Sequence, residues 1–450
     1  MIRRALGVGM AFIGIIVGAG FASGQEMLQF FVAFGRLGIV GAVAASLVMT
    51  VIGIASLQLG SHIQAREHAA VFRRVAHPAV AWFLDVATIA TLFSIGFVMF
   101  AGGGANMAQQ FGWPVWIGAV LTLVAVLVAG MLDVDRVSTV IGAITPFIIL
   151  FLVGASGWTL ATVPWDSAAL EPAAAMVQTT LPSWWVAALN YVGLCAITAV
   201  SMTIVIGGSM FDSRTAGLGG LIGGGMYLLL LVLAVIALYL QVPLVGGDAL
   251  PMLTLVNLVH PTLGTAMSVV IFGMIFNTAL GMFYALGKRL TRSRPERFRV
   301  VYVATVLVGF VLSFVGFRTL VSYVYPALGY MGLVLIVVLA AGWLKRRGRI
   351  RAEAMRRLRL RRLALRRLDP RRDYTPAHAA ELKRLSGQSN LPDAELHTLL
   401  VDRAETALAN DPGVDYTPLP PEAEPTQVLG EPGPADPAEQ RAGTTATFRT

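Results

Sequence analysis

The chain has 450 residues, of which 56% are hydrophobic and 13% are charged, and its formal net charge is +9. This hydrophobic fraction exceeds the roughly 45 to 50% of ordinary soluble domains and excludes a water-soluble globular fold. Cys195 is the single cysteine, so an intrachain disulfide and a cysteine-based metal cluster are also excluded. The composition therefore indicates an integral membrane protein.

Apolar segments long enough to cross a bilayer recur along the chain. Crossing a hydrocarbon core of about 30 Å takes roughly 17 to 25 helical residues, because each residue adds about 1.5 Å. The first segment leads directly into more apolar sequence, so we expect it to stay in the protein rather than be cleaved as a signal peptide. The sequence predicts an all-α integral membrane fold of about ten transmembrane helices, at residues 5–34, 37–60, 80–107, 115–131, 137–160, 185–210, 217–240, 263–287, 299–316 and 319–344.

Basic residues collect in alternate loops, as they do on the cytoplasmic side of membrane proteins. The loops on the other side contain only Arg36 and Arg318, and the long loop at 161–183 has no Lys or Arg. This pattern predicts a multi-pass protein of the cell membrane with both termini in the cytoplasm. The basic loops and ends carry Arg3, Arg4, Arg66, Arg73, Arg74, Arg136, Arg214, the cluster at 288–299 and the C-terminal tail.

The ten predicted spans divide into two similar halves. Five spans cover residues 5–160 and five cover 185–344, and in each half the longest internal loop follows the second span. Because five is odd, the second half enters the membrane in the opposite sense, which predicts the five-plus-five inverted repeat typical of secondary transporters. Coincidence is the alternative, since the repeat rests on span number and loop spacing.

The composition changes after residue 344, where the predicted transmembrane core, residues 1–344, ends. Residues 345–372 contain fourteen Lys or Arg, so we expect a basic cytoplasmic segment that lies against anionic lipid headgroups or forms a solvated flank. Its leucines at 358, 360, 363 and 365 do not share one helical face, which argues against an amphipathic helix. The Pro- and Glu-rich remainder, residues 373–450, is predicted to be a largely disordered cytoplasmic tail.

Four glycines lie close together in the first span, at positions 14, 18, 20 and 24. Glycine costs about 1 kcal/mol relative to alanine inside a helix, so this clustering predicts an interruption. Unwound backbone in the middle of a membrane exposes carbonyl groups and a helix N-terminus, which bind cations and anionic groups. Close packing is the alternative, because Gly14 with Gly18 and Gly20 with Gly24 have small-xxx-small spacing.

Polar side chains beside these glycines favour a binding site. Ser23, Gln25 and Glu26 lie within the same predicted span, and polar groups inside a membrane are energetically expensive and usually functional. The substrate-binding residues predicted here are Gly18, Ala19, Gly20, Ser23, Gly24, Gln25 and Glu26.

The segment 17–26 (VGAGFASGQE), followed by Phe30 and Phe31, resembles the first helix of the YkvI-like membrane proteins. That family is related to the amino acid, polyamine and organocation (APC) transporters, and the resemblance extends over residues 5–344. It implies a LeuT-type fold whose first and sixth helices are interrupted. Together with the interrupted helix and the repeat, this leads us to expect a secondary transporter, a symporter, that moves a small organic solute such as an amino acid by alternating access, coupled to Na⁺ or H⁺. The family itself indicates no particular substrate.

The repeat places a second interruption near Gly193 in the sixth span. Asn190, Gly193 and Thr198 therefore join the predicted substrate-binding residues, although Asn190 and Thr198 could equally hydrogen-bond between packed helices. Their polar groups lie in an otherwise apolar segment.

In the eighth span, similarity to LeuT-type transporters implies a sodium site beside the first-helix interruption. The predicted ligands are the Asn277 amide, the Thr278 hydroxyl and carbonyl groups near Gly18 and Phe21, because hard cations take oxygen ligands. The alternative is that Asn277 and Thr278 hydrogen-bond between helices without an ion.

Asp85 and a group of residues in the tenth span have two interpretations each. Asp85, early in the third span, pairs with a basic loop residue or acts near Thr88. In the tenth span, Tyr323, Tyr325, Pro326 and Tyr330 form a gate or line a vestibule, or else the tyrosines anchor the helix at a membrane interface.

The sequence lacks the Walker A, HExxH and GxSxG motifs, so we expect neither ATP-driven transport nor an enzyme. The expected partners are a small-molecule or ion substrate, the bilayer and anionic lipids at the tail; neither a nucleic acid nor a cofactor other than Na⁺ is expected. The alternative function is a membrane sensor or scaffold with a ligand-binding core that signals through its tail. A passive channel would need more polar residues per span.

Overall fold

The computed structural model describes residues 2–65, 71, 77–131, 145–411, 413–414 and 425–430. Over these residues the regular elements are all helical, which confirms the predicted fold class, and three 3₁₀ turns join them at 32–34, 295–297 and 313–315. The α-helices are α1 (Ile2–Ile16), α2 (Ala19–Ser23), α3 (Gln25–Phe30), α4 (Gly35–Ile63), α5 (Pro78–Phe111), α6 (Val115–Met131), α7 (Thr145–Thr162), α8 (Ser167–Ala175), α9 (Trp184–Gly208), α10 (Ser213–Leu240), α11 (Val242–Val245), α12 (Pro251–Val259), α13 (Pro261–Leu290), α14 (Phe298–Leu312), α15 (Phe317–Leu368), α16 (Pro376–Ser386), α17 (Asp393–Ala409) and α18 (Pro425–Gly430).

The described helices include seven segments long and apolar enough to cross a membrane, and two shorter apolar helices, α6 and α7. Together with the interrupted first helix, α1 to α3, they account for about ten spans, so the chain is a multi-pass membrane protein. The first part of the predicted fifth span, residues 137–144, lies outside the described residues, as do Arg66, Arg73, Arg74 and Arg136.

The helix packing follows the predicted two-fold relation between the halves. Helix α1 of the first span packs on α10 of the seventh, and α9 of the sixth packs on α4 of the second. The second span also packs on the seventh, and the third on the eighth. Exchanging each span for its counterpart in the other half converts the pair 1–7 into the pair 6–2 and leaves the pairs 2–7 and 3–8 unchanged. This pairing is what an inverted repeat requires. One contact breaks it: α9 packs closely on α15, whereas the first and fifth spans make no equally extensive contact within the described residues.

The predicted interruption of the sixth helix is wrong, because α9 is continuous from Trp184 to Gly208. Gly193 lies in the seam between α9 and α15, where a Cβ atom would overlap the carbonyl oxygen of Gly329. On the other side of the seam, a Cβ at Gly332 would overlap the carbonyl oxygen of Gly193. Gly193 therefore permits close approach of two helices rather than breaking one.

Substituting Gly193 by alanine is expected to destabilise the protein by about 1 to 3 kcal/mol, because the added methyl group must push α15 away. Gly154→Ala is a matched control, since a Cβ there would meet nothing within 4 Å and alanine favours helix by about 1 kcal/mol. Thermal unfolding of the two purified variants tests this difference. An equal or higher midpoint for Gly193→Ala would contradict it.

Helix α15 does not end at the membrane but continues as one 52-residue helix to Leu368. The predicted basic segment at 345–372 is therefore mostly an extension of the tenth span. It packs with α16 and α17 around an apolar cluster that includes Phe211 from the loop between α9 and α10. The predicted disorder is thus wrong for α16 and α17, whereas residues 415–424 and 431–450 lie outside the described part.

The two ends of the helical bundle differ in charge and covering. We call the end that carries Arg4, Arg214 and Lys288 the basic face, and the tail helices pack on it together with the start of α1. The opposite face is covered by α8, α11 and α12. Both described ends of the chain therefore lie at the basic face, and the cytoplasmic location of that face stays a prediction.

Candidate functional site

The first helix is interrupted where the glycines cluster, as predicted. Helix α1 ends at Ile16, and Gly18 has an extended backbone at φ −98° and ψ −168°. A second irregularity follows at Gly24, whose φ of +79° lies in the left-handed region that favours glycine. The hydroxyl of Ser23 donates to the Gly20 carbonyl at 2.7 Å and accepts from the Gln25 N–H at 3.2 Å, so Ser23 stabilises the turn between α2 and α3.

Helix α12 covers this interruption from the opposite face. A Cβ at Gly24 would lie 3.0 Å from the backbone nitrogen of Met252, so the two backbones are in close contact. Gln109 at the end of α5 fixes α12 by donating to the Leu250 carbonyl and the Thr254 hydroxyl, both at 2.9 Å. Access to the interruption from this side is therefore closed.

Glu26 is the carboxylate at the centre of the interruption. Its side chain folds back over Gly20, where a Cβ atom would overlap its Oε1 atom. The hydroxyl of Tyr191 in α9 donates to the other oxygen, Oε2, at 3.2 Å. Gln25 and Met27 are buried, whereas Glu26 keeps some accessible surface. The carboxylate is therefore held in one position without being completely enclosed.

Three tyrosines from three different spans surround this carboxylate. Tyr191, Tyr227 and Tyr325 are all buried in one cluster, and Tyr191 is the one whose hydroxyl bonds to the carboxylate among the described residues. The Sγ atom of Cys195 lies 3.7 Å from the Tyr227 hydroxyl. Because a hydroxyl both donates and accepts, this tyrosine cluster can stabilise a carboxylate and also accept a hydrogen bond from an ammonium group.

Phenylalanines of the first span fix the orientation of the tyrosine rings. Phe30 and Phe31 contact Tyr191 with ring centroids 5.2 and 5.0 Å apart, and the Phe31 pair is edge to face. Phe21 lies against Tyr227 at 6.1 Å. These packed aromatic pairs keep the hydroxyl groups near the carboxylate.

A cavity of about 390 Å³ opens between α5, α9 and α13 at the basic face. Thr198 and Ser201 line it on α9, and Lys288 and Arg289 line it near the end of α13. Thr198 is seven residues after Tyr191 on the same helix, a rise of about 10 Å. The cavity therefore opens at the basic face and ends about 10 Å along α9 from the tyrosine that bonds to the carboxylate.

Asp85 lies at the side of this cavity and forms an ion pair with Arg289 at 2.5 Å. Of the two interpretations of Asp85, the structure supports pairing with a basic residue, although Arg289 lies in the last turn of α13 rather than in a loop. The pair joins α5 to α13 at the basic face.

Asn190 and Gly193 face away from Glu26, toward α15. The Asn190 amide donates to the Pro326 carbonyl at 3.0 Å. Pro326 has no N–H for the Ser322 carbonyl one turn earlier, and this carbonyl instead accepts from Thr180 at 2.7 Å and Gln29 at 3.5 Å. Asn190 and Gly193 therefore belong to a helix-packing seam, whereas Thr198 lines the cavity.

The predicted sodium ligands come from two helices that touch. Helix α13, which carries Asn277 and Thr278, packs on α2, and neither side chain has a hydrogen-bond partner in the part of the chain that the structure describes. Phe21 is buried at the same junction, and Gly18 has open space at its Cα. The arrangement leaves the two polar side chains available, and the sodium site stays a prediction.

The three tyrosines of the tenth span separate into two groups. Tyr323 and Tyr330 are 66% and 47% exposed on the outer surface, which fits anchors at the membrane. Tyr325 belongs to the tyrosine cluster.

The carboxylate was predicted from the sequence, but its partner Tyr191 and the neighbouring Tyr227 and Cys195 were not. A usable signal existed, since Tyr191 and Tyr227 lie deep within predicted spans rather than at interfaces, where membrane tyrosines concentrate.

No family model matches the chain. It is similar to two proteins of Bacillus subtilis (strain 168), both described as uncharacterized. The membrane protein YkvI is 25% identical over 339 residues, 75% of this chain and 95% of YkvI. The protein YyaD is 25% identical over 338 residues, 73% of this chain and 94% of YyaD. These matches confirm the resemblance to YkvI-like membrane proteins.

Three solved structures are similar at low sequence identity. A mutant of the manganese transporter of Eremococcus coleocola has a TM-score of 0.47 at 13% identity and covers 92% of this chain and 89% of its own. The inward-facing conformation of Mhp1 has a TM-score of 0.47 at 14% identity and covers 76% of each chain. MhsT in complex with L-phenylalanine has a TM-score of 0.47 at 13% identity and covers 75% of this chain and 87% of its own.

Proposed function

We propose that this protein is a secondary transporter that moves a small organic solute by alternating access. The observation that carries the proposal is the largely enclosed Glu26 carboxylate, held at the interruption of the first helix by the hydroxyl of Tyr191 beside two further buried tyrosines. A helix broken inside the membrane costs stability, and a carboxylate there costs more, so both are expected where a ligand binds.

The two faces of the bundle support alternating access. Helix α12 closes the path from the opposite face at Gly24, while the cavity at the basic face leads toward Tyr191. By the positive-inside rule we assign the basic face to the cytoplasm. The conformation then corresponds to a state closed to the outside, with its access cavity on the cytoplasmic side.

The chemistry of the site favours a solute with an amino group, and an amino acid is the first candidate. A carboxylate with neighbouring hydroxyl acceptors binds an ammonium group, and the same carboxylate can instead take up a proton. Asn277 and Thr278 provide oxygen atoms for Na⁺ beside the same interruption. Protons and sodium are therefore the two coupling ions to be compared.

The test has two stages. Purified protein is first screened for a rise in thermal unfolding midpoint with single amino acids, in NaCl and in KCl of equal concentration, since a ligand that binds the folded state stabilises it by RT ln(1 + [L]/Kd). Ligands that stabilise the protein are then assayed for accumulation in proteoliposomes under an imposed proton or sodium gradient. We expect one gradient to drive accumulation of at least one amino acid, with protein-free liposomes as the control.

A sensor is the second candidate function, because the tail helices form a folded unit on the basic face. A chain truncated after Gly348, which lacks these helices, distinguishes the two. Accumulation by the truncated chain supports transport. Ligand binding without accumulation, in both the full and the truncated chain, would contradict transport and favour a sensor.

A further inference from the structure

A second cavity, of about 470 Å³, lies at the basic face outside the membrane-spanning part of the helices. It forms where the start of α1, the loop between α9 and α10, the extension of α15 and helix α17 meet. Four arginines from three of these segments line it: Arg4, Arg357, Arg361 and Arg403. The tail thus meets the membrane core around a concentration of positive charge.

One of the four arginines is already neutralised. Arg357 forms an ion pair with Glu353 at 3.1 Å and donates further hydrogen bonds to backbone carbonyls. Asp212 also lines the cavity, but its carboxylate accepts from the N–H groups of Arg214 and Thr215 and from the Thr215 hydroxyl at the start of α10. Neither carboxylate pairs with the other three arginines.

Arg4, Arg361 and Arg403 have no carboxylate partner in the part of the chain that the structure describes. The Nε–H groups of Arg361 and Arg403 are buried and donate to no acceptor there, although Arg403 also donates from Nη2 to the Ser209 carbonyl at 3.0 Å. Burial, reinforced by the charges of Arg4 and Arg361, lowers the pKa of Arg403. A buried donor without an acceptor and a cluster of like charges are both unfavourable unless an anion compensates them.

We propose that this cavity binds a phosphate group. A guanidinium group offers two parallel N–H donors that match the oxygens of a phosphate. Three guanidinium groups around one cavity therefore favour a phosphate, which has several acceptor oxygens, over a single halide ion. A phosphate bound by Arg4, Arg361 and Arg403 would bridge α1, the extension of α15 and helix α17. Its binding would therefore stabilise the tail on the membrane core.

The phosphate can come from an anionic lipid or from a soluble phosphorylated compound, and two experimental arms separate these sources. In the soluble arm, full-length protein in nanodiscs of phosphatidylcholine is titrated with pyrophosphate at constant ionic strength. In the lipid arm, nanodiscs of phosphatidylcholine are compared with nanodiscs that also contain phosphatidylglycerol, in phosphate-free buffer. The readouts are the unfolding midpoint and the rate at which protease cleaves the tail.

The double variant Arg361→Gln with Arg403→Gln removes two of the donors. Its matched control, Arg362→Gln with Arg384→Gln, removes the same charge from two exposed arginines of α15 and α16. We expect the ligand that stabilises the wild type to bind the first variant at least about tenfold more weakly, and the control variant about as tightly as the wild type.

Each result supports or overturns the proposal. Stabilisation by pyrophosphate identifies a soluble ligand, and stabilisation by phosphatidylglycerol alone identifies a lipid. No stabilisation in either arm, or equal weakening in the control variant, overturns it. If the glutamine variant fails to fold, Arg361→Lys with Arg403→Lys keeps the charge but not the paired donors, and binding as tight as the wild type's would contradict the guanidinium site. None of these readouts depends on transport.

Discussion

Replacing Glu26 by glutamine is expected to give a folded protein that has lost coupled transport. Glutamine has nearly the same shape and can still accept the hydrogen bond from Tyr191 that now reaches Oε2 at 3.2 Å. It removes the negative charge that an ammonium group, a proton or a cation would need. Since a hydrogen bond to a charged group contributes about 1.5 to 3 kcal/mol, we expect substrate affinity to fall by roughly 10- to 100-fold.

The measurement is uptake into proteoliposomes by wild type and variant, with pH and sodium varied separately. Glu296→Gln is the matched control, because it makes the same chemical change at an exposed position near the 3₁₀ turn before α14. Tyr191→Phe removes the hydroxyl donor while leaving the carboxylate, so it should weaken uptake less than Glu26→Gln does. Uptake by Glu26→Gln that matched the wild type in rate, pH dependence and sodium dependence would leave Glu26 only a structural role.

Replacing Arg357 by glutamine is expected to detach the tail from the basic face. Arg357 is 1% exposed, and its guanidinium donates to the carbonyl oxygens of Ser61 and His62 at the end of α4, both at 2.9 Å. It also donates to the Phe211 carbonyl at 3.2 Å and to Asn390 at 2.8 Å. This single side chain therefore joins the tenth span, the second span and the loop after α9.

The loss of stability expected on removing Arg357 comes largely from Glu353, which stays buried without this arginine. Glu353 is 2% exposed and would lose its buried cation while keeping the partly exposed Arg356, and removing one partner of a buried ion pair typically costs about 3 to 5 kcal/mol. Arg356→Gln is the matched control, because Arg356 also pairs with Glu353 but is partly exposed, so its loss should cost about 1 kcal/mol or less. Unfolding midpoints and protease cleavage between α15 and α17 measure both effects. Equal stability of the two variants would show that Arg357 does not hold the tail.

The same ion pair makes tail docking dependent on pH. Burial opposes ionisation of Glu353, but hydrogen bonds from Ser389 and Arg357 outweigh it and lower the pKa of Glu353 below its usual value. A carboxyl whose pKa is lower in the folded state stabilises that state above the unfolded pKa and loses this contribution as pH falls. Docking of the wild-type tail should therefore weaken in acid, and Arg357→Gln should show a smaller dependence, because Ser389 and Arg356 still bond to Glu353.

The sequence by itself determined the properties that depend on local composition. The spans follow from hydropathy, because the bilayer selects apolar helices of a fixed length. The interruption of the first helix follows from its glycines: at Gly24 a left-handed φ favours glycine locally, and the neighbouring Glu26 marks the site. These features can be predicted without knowing which distant residues contact them in the folded protein.

Tertiary packing decided the rest. Gly193 was predicted to interrupt the sixth helix, yet α9 is continuous and the backbone of α15 lies against Gly193. The absence of a side chain at a glycine permits both a helix break and close helix packing. The partners of Glu26 come from spans about 165 residues or more along the chain, which local pattern does not reveal. The leucines of the α15 extension predicted no shared apolar face, yet the buried stripe contains Arg357 beside Leu360 and Ala364. Its bonds to Glu353 and to backbone carbonyls of α4 and the loop after α9 make that burial favourable.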